Sequence, residues 1–462
     1  SKMFVDDTIS AVATALGEGA IGIIRLSGPR SCEIADRIFQ AASGKRLEKY
    51  PPNTLVYGHI IDNNGVVVDE ALVVFMRSPR SYTAENVVEI QSHGGIQSLK
   101  KILSLTYEAG ARPAEPGEFT KRAFLNGRID LAQAEAVMDI IKARSEVSLK
   151  LALRQQQGQL SKEIGLLRKR LLDIIVNLEA VIDYPEEDIE EVTFLNVKNT
   201  IYDVQGEILL LLNNAHTGKI MREGMKTVII GRPNVGKSSL LNSLLREERA
   251  IVSEIPGTTR DVIEEQLLID GIPLVLTDTA GIRDTDDYVE KIGVAKTKKI
   301  LEEAELAVVV LDGSESLHSE DRDILEAVKE KPYVIIVNKS DLPQAIDLAA
   351  LQADFGAENI MQLSARTSDG VDDFVAWLKK YVYGAGGQLE EGIYVQNARH
   401  EYLLKQAAAS LSDALAAAGN HVPYDCIIID LRNAVEAIGF ITGDTVSDEI
   451  INEIFARFCV GK

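Results

Sequence analysis

The sequence predicts the α/β and α fold class: an N-terminal α+β domain, then a discontinuous helical domain into which a doubly wound α/β domain is inserted. Three observations predict this arrangement. β-rich runs with Gly, Pro and Asn turns fill residues 1–118, helical periodicity flanks residues 219–384 on both sides, and a strand–loop–helix rhythm lies between. The 462 residues, 46% of them hydrophobic, suffice for about three domains with their own cores.

Composition excludes several classes of protein. No run of about 18 uncharged apolar residues occurs, so no membrane span is expected. The three cysteines, Cys32, Cys426 and Cys459, are odd in number and widely separated. That argues against a disulfide framework or a cysteine-based zinc site and favours a reducing, cytoplasmic compartment. Asp6 and Asp7 interrupt the N-terminal residues, which do not resemble an export signal.

The negative charge is unevenly distributed along the chain. The formal net charge is −21, which argues against general coating of phosphate groups. Residues 1–125 carry 14 basic and 14 acidic side chains, whereas residues 219–384 carry 20 and 30. An anionic ligand is therefore expected in the N-terminal region or at local basic positions.

The first predicted domain covers residues 1–120. Short β-rich runs at 21–26, 55–61, 71–75 and 87–90 alternate with turns such as Asn63-Asn64-Gly65. A literal G-x-G-x-x-G at 17–22 is interpreted as a glycine-rich turn. A dinucleotide fingerprint needs a strand before it, and here a strand-like run begins inside it.

The predicted helical domain comprises residues 121–218 and 385–462. Apolar residues recur at helical spacing from Leu131 to Ile141 and from Ile164 to Leu178. Further helices are predicted over 394–418, 424–441 and 447–458, the last with Ser447 as its N-cap. A single domain interrupted by an insertion is the most economical interpretation of the two helical parts.

The inserted domain, residues 219–384, contains buried runs at 228–230, 274–276, 307–311 and 333–337. G-R-P-N-V-G-K-S at 231–238 fits the phosphate-loop pattern and lies between a strand and a helix predicted over 239–245. Backbone amides of such a loop wrap phosphates. Lys237 is expected to reach the β- and γ-phosphates, and Ser238 to bind Mg²⁺.

Four further motifs follow in order and predict a guanine nucleotide. G-T-T-R-D at 257–261 supplies switch threonines, and D-T-A-G at 278–281 follows a strand. N-K-S-D at 338–341 places the carboxylate of Asp341 to accept from the N1–H and 2-amino groups of guanine, a donor pair that adenine lacks. Residues 364–366, Ser-Ala-Arg, can add a backbone amide to guanine O6.

Ile282 stands where Ras-like hydrolases place a water-orienting glutamine, and its side chain cannot form hydrogen bonds. Water positioning must therefore come from another group. The candidates are the acidic residues just downstream, Asp284, Asp286, Asp287 and Glu290. Spacing alone assigns no arginine finger.

The ordered motifs G-R-P-N-V-G-K-S-S, G-T-T-R-D, D-T-A-G-I-R and N-K-S-D resemble those of the TrmE/Era/EngA group of GTPases. P-G-E-F-T-K-R-A-F-L-N-G at 116–127, D-L-A-Q-A-E-A at 130–136, the helical flanks and F-C-V-G-K at 458–462 narrow the resemblance to the MnmE (TrmE) family. It extends over nearly the whole chain. It implies a folate-binding-like N-terminal domain and a Ras-like P-loop G domain.

The resemblance also implies a function. Members act with MnmG, a flavoprotein using FAD and NADH, on the wobble uridine U34 of certain tRNAs. They install an aminomethyl or carboxymethylaminomethyl group at C5 with a one-carbon unit from 5-formyltetrahydrofolate or a related tetrahydrofolate. A homodimer through the N-terminal domain, a heterotetramer with MnmG, and K⁺-dependent approach of the G domains are implied. An Era-like GTPase in ribosome assembly is the alternative; the acidic C-terminal segment, which offers no basic cradle, disfavours it.

The resemblance assigns site residues position by position. The nucleotide set is Gly231, Asn234, Val235, Gly236, Lys237, Ser238, Ser239, Ser253, Glu254, Ile255, Pro256, Gly257, Thr258, Thr259, Asp278, Thr279, Ala280, Gly281, Asn338, Lys339, Asp341, Ser364, Ala365 and Arg366. Within it, Mg²⁺ is assigned to Ser238 and Thr259, and K⁺ to Asn234, Ser253, Ile255 and Thr258. Glu290 is the implied water-orienting residue, and the implied folate ligands are Arg25, Glu85, Arg128 and Lys462. Cys459 is a candidate thiol.

Overall fold

The computed structural model describes residues 7–184, 190–253, 265–277, 294–420 and 422–462. The chain divides into two compact units. Unit 1 comprises residues 1–138, 155–173 and 432–462, and unit 2 comprises residues 139–154 and 174–431. The finer division at residues 120, 218 and 384 stays a prediction.

The strands form two sheets, the first from β1–β7 and the second from β8–β14. Their bounds are β1 (Ile9–Val12), β2 (Gly19–Ser27), β3 (Phe39–Ala41), β4 (Val56–Ile61), β5 (Val67–Met76), β6 (Val87–Gly94), β7 (Arg112–Pro113), β8 (Met225–Ile230), β9 (Ala250–Ser253), β10 (Glu265–Ile269), β11 (Ile272–Leu276), β12 (Leu306–Asp312), β13 (Tyr333–Asn338) and β14 (Ile360–Gln362).

Helices follow one another directly over residues 118–223 and 371–456, and elsewhere in the described residues strands separate them. Their bounds are α1 (Ser31–Ile38), α2 (Ile96–Glu108), α3 (Glu118–Leu125), α4 (Leu131–Lys142), α5 (Glu146–Gln156), α6 (Gln159–Asp183), α7 (Glu190–Asn213), α8 (Ala215–Glu223), α9 (Lys237–Arg246), α10 (Val294–Glu303), α11 (Ser319–Val328), α12 (Leu348–Phe355), α13 (Val371–Tyr383), α14 (Ala398–Gly419), α15 (Tyr424–Thr442) and α16 (Asp448–Ala456).

The sheet of unit 1 has the order β3-β4-β5-β6-β2-β1-β7. Neighbouring strands are antiparallel except for β1 and β7, which are parallel. Buried residues of α1 and α2 share one core with the sheet. Because side chains alternate along a strand, Ser10 bonds to Thr106 of α2, whereas Ile9 and Ala11 pack with Phe119 of α3.

The C-terminal part of unit 1 packs on its helices α3 and α4. Phe455 and Phe458 join a buried cluster with Ala123 and Leu131. The backbone N–H of Thr120 donates to the carbonyl oxygen of Lys462 at 2.7 Å. These contacts hold the 458–462 segment against α3.

The sheet of unit 2 has the order β14-β13-β12-β8-β11-β10-β9. From β14 to β11, neighbouring strands are parallel. Successive residues of β12 pack into the two cores on opposite faces of the sheet. Val308 belongs to the core that contains α9 and α13, and Val309 belongs to the core that contains α11 and α12. Helices therefore cover both faces, which confirms the predicted doubly wound α/β arrangement.

Sequence analysis missed β9 and β10 at one edge of this sheet. β10 is antiparallel to both β9 and β11, and Ile269 pairs with Ile272 across a two-residue turn. Asp270 and Gly271 in this turn have φ of 47° and 83°. Asp-Gly between apolar runs is a strong signal for such a hairpin, so the sequence did contain the necessary information.

The structure shows the N-caps of two helices whose starts the sequence predicts. The Ser447 side chain accepts from the N–H of Ile450, which confirms Ser447 as the N-cap of α16. The helix predicted to begin at residue 394 begins instead at Ala398, because the Asn397 side chain accepts from the N–H of Arg399 at 2.8 Å and caps it there. Within the described ranges, no helix is long and apolar enough to cross a membrane.

Candidate functional site

The loop between β8 and α9 has the backbone shape that a phosphate-binding turn requires. Gly236, at the start of α9, has φ of 102°, and a Cβ atom there would lie 2.1 Å from the side-chain nitrogen of Asn338. Asn234 is also left-handed, with φ of 64°. Only glycine fits position 236, so the chain can turn into the helix with its first N–H groups facing the loop.

Lys237 folds back over this loop. Its Nζ donates to the carbonyl oxygens of Gly231 at 2.6 Å and Arg232 at 3.2 Å. The ammonium group is thus held against the backbone of the loop. Ser238 and Ser239 follow it in the first turn of α9 and are exposed, whereas Val235 is buried beneath the loop.

Asn338, at the carboxyl end of β13, connects two parts of the predicted nucleotide site. Its side-chain Nδ2 donates to the carbonyl oxygen of Val235 at 2.8 Å. Its Oδ1 accepts from the backbone N–H of Ala365 at 2.9 Å. The loops after β8, β13 and β14 thus meet at the carboxyl edge of the sheet, where ligands of doubly wound folds bind.

Asp341 is fixed by one oxygen. The hydroxyl of Ser364 donates to Oδ1 at 2.9 Å, while the exposed Arg366 guanidinium lies 3.9 Å from Oδ2. The carboxylate keeps acceptor capacity for two parallel N–H donors, which is the pattern on the guanine edge.

Asp312 is a site residue that sequence analysis missed. It ends β12 opposite Asn338, and its carboxylate accepts from the Lys339 ammonium at 2.7 Å. Burial acts to raise the pKa of Asp312, but hydrogen bonds from Lys339 and Ser314 outweigh it and lower this pKa. Asp312 therefore stays ionised and holds Lys339 beside the base site. No motif marks it in the sequence, because the contact depends on strand pairing.

Arg232 of the phosphate loop was also missed. Its Nε donates to Asp321 at 2.9 Å, and its Nη2 donates to Glu315 at 3.2 Å. Asp321 is almost fully buried and also accepts from the backbone N–H of His318 at 2.9 Å, which caps α11. One carboxylate thus ties the phosphate loop to the start of a helix.

Part of the predicted nucleotide site lies outside the described residues. Ser253 is described as the last residue of β9. The predicted residues that lie outside the described ranges are Glu254, Ile255, Pro256, Gly257, Thr258, Thr259, Asp278, Thr279, Ala280, Gly281 and Glu290, together with Ile282, Asp284, Asp286 and Asp287.

A second site lies in unit 1, around the ring of Tyr82. Three of the four predicted folate ligands converge there: Arg25, Arg128 and Lys462 place their cationic groups 5.2, 5.0 and 4.9 Å from the ring centroid. The Tyr82 hydroxyl shares a hydrogen bond of 2.7 Å with Thr120. Tyr82 was not predicted from the sequence, since no motif distinguishes it from other partly buried tyrosines.

Glu85, the fourth predicted folate ligand, is on the same loop as Tyr82 but has other partners. Its carboxylate accepts from the Ser27 hydroxyl at 2.6 Å and from Nη1 of Arg122 at 3.2 Å. Arg122 is nearly buried and also binds Asp7 and Glu118. This ion-pair network fixes Glu85 at the side of the site.

The electrostatics of the cationic site favour an anion. Burial lowers the pKa of Lys462, the neighbouring Arg25 and Arg128 lower it further, and Glu89 acts in the opposite direction. Arg25 itself donates to Glu89 at 3.0 Å. One acidic side chain does not compensate three cations, and a negatively charged ligand would relieve their mutual repulsion.

Cys459 is exposed and carries a free thiol. Its backbone carbonyl accepts from the N–H of Gly117 at 3.2 Å. Its proposed chemistry stays a prediction. Among the described residues, no group of three or more His, Cys, Asp or Glu side chains could hold a metal ion.

Fold and site together define a P-loop guanine-nucleotide-binding protein. The family model described as the N-terminus of the GTP-binding protein TrmE matches residues 8–128, and that described as the MnmE helical domain matches residues 131–459. The chain belongs to the MnmE family of tRNA modification GTPases, and it is accordingly a GTPase that acts in tRNA modification.

Two relatives support the family assignment over the full length. The tRNA modification GTPase MnmE of Clostridioides difficile (strain 630) is 49% identical over 460 residues, covering 100% of both chains. That of Alkaliphilus oremlandii (strain OhILAs) is 48% identical over 461 residues, again covering 100% of both. The solved G domain of the T. maritima FeoB iron transporter covers 34% of this chain and 98% of its own, at 24% identity and a TM-score of 0.25.

Proposed function

We propose that this GTPase acts with the flavoprotein MnmG to add an aminomethyl or carboxymethylaminomethyl group to C5 of the wobble uridine U34 of certain tRNAs. The observation that carries the proposal is the convergence of Arg25, Arg128 and Lys462 on the ring of Tyr82. Such a site suits a small anionic ligand that carries an aromatic group.

Tetrahydrofolate, as 5-formyltetrahydrofolate or a related form, would supply the one-carbon unit. Its glutamyl carboxylates fit the three cations, and the carboxylate of Glu85 suits the amidine-like donor edge of the pterin. Hydrogen bonds from Ser27 and Arg122 hold the Glu85 carboxylate in place for that contact. The chain's own part in this step is to bind and orient the ligand.

For GTP hydrolysis, Lys237 is proposed to contact the β- and γ-phosphates and Asp341 to recognise guanine. The Ser238 hydroxyl, in the first turn of α9, is an oxygen donor of the kind Mg²⁺ prefers, with Thr259 as a second ligand. Asn234 is an exposed residue of the phosphate loop and would offer its side-chain oxygen to K⁺. K⁺ there would offset the charge that develops when the γ-phosphate is transferred.

We propose further groups at the nucleotide site and an assembly in which the protein works. Carbonyl groups near Ser253, Ile255 and Thr258 would complete the K⁺ site, and Glu290 would orient the attacking water. The protein would act in the cytoplasm as a homodimer formed through its N-terminal domain and as a heterotetramer with MnmG. GTP hydrolysis would drive association of the G domains and the accompanying conformational change.

Wobble nucleosides measured by mass spectrometry test the proposed reaction. Cells lacking this protein should lose the C5-modified uridines, and the wild-type gene should restore them. Arg128→Gln should restore them poorly because it removes one cation from the Tyr82 site, whereas the exposed control Lys100→Gln should behave as wild type. Unchanged wobble nucleosides in the deletion strain would refute the reaction and favour the alternative role in ribosome assembly.

Exchange of K⁺ for Na⁺ at constant ionic strength tests the cation. Hydrolysis should slow sharply in Na⁺, because the smaller ion does not match the same oxygen ligands. Asn234→Ala should remove most of the difference between the two salts. Equal wild-type rates in both salts would contradict a bound monovalent ion.

A further inference from the structure

Two neighbouring loops of unit 1 carry a group of exposed cations. The first loop, between β3 and β4, contributes three, and the second, between β5 and β6, contributes two. We call them the basic surface; its members are Lys45, Arg46, Lys49, Arg77 and Arg80, all exposed.

The fold brings the two loops together. β4 begins at Val56, which pairs with Val73 near the end of β5, so the loop before β4 and the loop after β5 lie at the same end of the sheet. Nη2 of Arg77 donates to the carbonyl oxygen of Glu48 at 3.2 Å and links them directly.

Acidic side chains compensate this surface only in part. Asp36 approaches Arg46 at 3.9 Å and also accepts from the backbone N–H of Leu47. Across the described part of the chain, no acidic side chain forms an ion pair with Lys45, Lys49 or Arg80. The surface is net positive in a chain whose formal net charge is −21.

The basic surface is continuous with the Tyr82 site through one loop. Two hydrogen bonds hold the ends of this loop together. The Ser78 hydroxyl donates to the carbonyl oxygen of Ala84 at 2.8 Å, and the backbone N–H of Ser78 donates to the side-chain oxygen of Asn86 at 2.9 Å. Arg80 precedes Tyr82 by two residues, so their Cα atoms lie within about 7 Å of each other. A polyanion on the basic surface would therefore pass beside the proposed one-carbon site.

We propose that the phosphate backbone of the substrate tRNA docks on the basic surface. This inference rests on the proposed function, since it explains how the RNA would be held near the folate ligand. An acidic protein partner is the weaker match because protein interfaces need a packed apolar centre. Apart from prolines, the two loops expose one large apolar side chain, Leu55, beside the five cations, and this favours a phosphate backbone. The chain as a whole is acidic, and the basic surface lies next to the site at which the RNA would react.

The test compares two variants of the full chain. The triple variant Lys45→Gln, Lys49→Gln, Arg80→Gln removes the three cations without an ion pair. Lys100→Gln, Lys101→Gln, which removes two exposed cations of α2, is the control, with one charge fewer removed. Binding of an unmodified tRNA transcript is measured against salt concentration. The triple variant should bind about tenfold or more weakly, and its log–log salt slope should fall by about 2–3. Circular dichroism and thermal unfolding should match wild type.

Three outcomes of the binding measurements would overturn the docking surface. They are unchanged tRNA binding by the triple variant, an equal loss in the control, or loss of binding to poly-L-glutamate with tRNA binding retained. With MnmG present, the triple variant should raise the KM for tRNA while kcat stays near wild type. Normal modification with an unchanged KM would refute the docking surface alone, whereas no modification by the wild-type complex would refute the proposed function as well.

Discussion

The carboxylate of Asp341 is oriented by a hydrogen bond from Ser364. The Ser364 hydroxyl donates to one carboxylate oxygen, so the other acceptor positions of the carboxylate have a defined direction. We therefore expect base selectivity to depend on the orientation of this carboxylate as well as on its charge.

Replacement of Asp341 by asparagine should exchange the preference for guanine with one for xanthine. Ser364 can still donate to the amide oxygen, so the amide nitrogen would face the base and repel the guanine donors while suiting the xanthine O2. GTP preference should fall by about tenfold or more, as expected for loss of charged hydrogen bonds. Competition binding of GTP and XTP measures it.

The matched control is Asp354→Asn, at an exposed position of α12. It carries the same charge change and should leave selectivity unaltered. Retained GTP selectivity in Asp341→Asn would remove this residue from the base site.

Lys462 predicts a pH dependence of folate binding. Its pKa is lowered, mainly by burial and then by Arg25, so its positive charge is lost at a lower pH than that of an exposed lysine. Affinity for 5-formyltetrahydrofolate should therefore fall as pH rises through this lowered pKa, while the two arginines stay charged. Titration calorimetry at several pH values above neutrality measures the effect.

Lys462→Arg should abolish this fall, because a guanidinium stays protonated throughout the range. Lys462→Gln should bind weakly at every pH. A wild-type affinity that stays level up to the ordinary lysine pKa would show that Lys462 does not contact the anionic ligand.

Individual residues differ in how well the sequence predicts them. Lys237 and Asp341 lie within short motifs whose spacing predicts their roles, so both could be proposed as site residues without a structure. Tyr82 and Asp312 could not, because each acts through partners that the fold brings together from distant positions. Neither the residue type nor the neighbouring sequence distinguishes Tyr82 or Asp312 from other tyrosines and aspartates in the chain.

At the scale of elements, α11 is coupled to the phosphate loop. Asp321 accepts from Arg232 with one oxygen and from the N–H of His318 with the other. Because the loop and the helix share one buried carboxylate, a change at the helix start reaches the nucleotide site.

Asp321→Asn should weaken both contacts, since an amide has only one acceptor oxygen for two donors. We expect a loss of stability of about 1–2 kcal/mol and weaker GTP binding. Thermal unfolding and nucleotide titration measure the two effects.

Glu320→Gln is the control, because this exposed neighbour on α11 undergoes the same chemical change. It should alter neither property. If Asp321→Asn loses stability yet binds GTP as wild type does, the carboxylate caps the helix without supporting the loop.

Elements were predicted best where local pattern and fold agree. The buried runs of β12 and β13 and the serine cap of α16 were identified in this way. The start of α14 was wrong by four residues, because the preceding apolar and polar residues continue a helical pattern that the Asn397 cap interrupts. β10, and with it the hairpin β10–β11, was missed although its turn signal was present.

At the scale of the whole molecule, the two candidate sites belong to different units. The nucleotide residues are in unit 2, and the cations around Tyr82 are in unit 1. Each unit has its own sheet and its own buried core.

Hydrogen exchange should therefore separate the two ligands. GTP with Mg²⁺ should protect β8, β12 and β13 most, and 5-formyltetrahydrofolate should protect β2 and β6. At 100 times Kd, a ligand stabilises the state it binds by about 2.7 kcal/mol, enough to slow exchange through unfolding markedly. Mass spectrometry of peptides from both sheets measures it, and equal protection of both sheets by either ligand would contradict the assignment.

The contact between Arg25 and the backbone of Gly461 joins residues that are 436 positions apart. During synthesis, the early strands can pair long before the segment that brings Lys462 has left the ribosome. A nascent chain therefore lacks one side of the proposed folate site until the intervening residues, which include the nucleotide-binding motifs, have been synthesised. Premature termination before this last segment would accordingly release chains in which Arg25 and Tyr82 lack the partners that residues 461 and 462 provide.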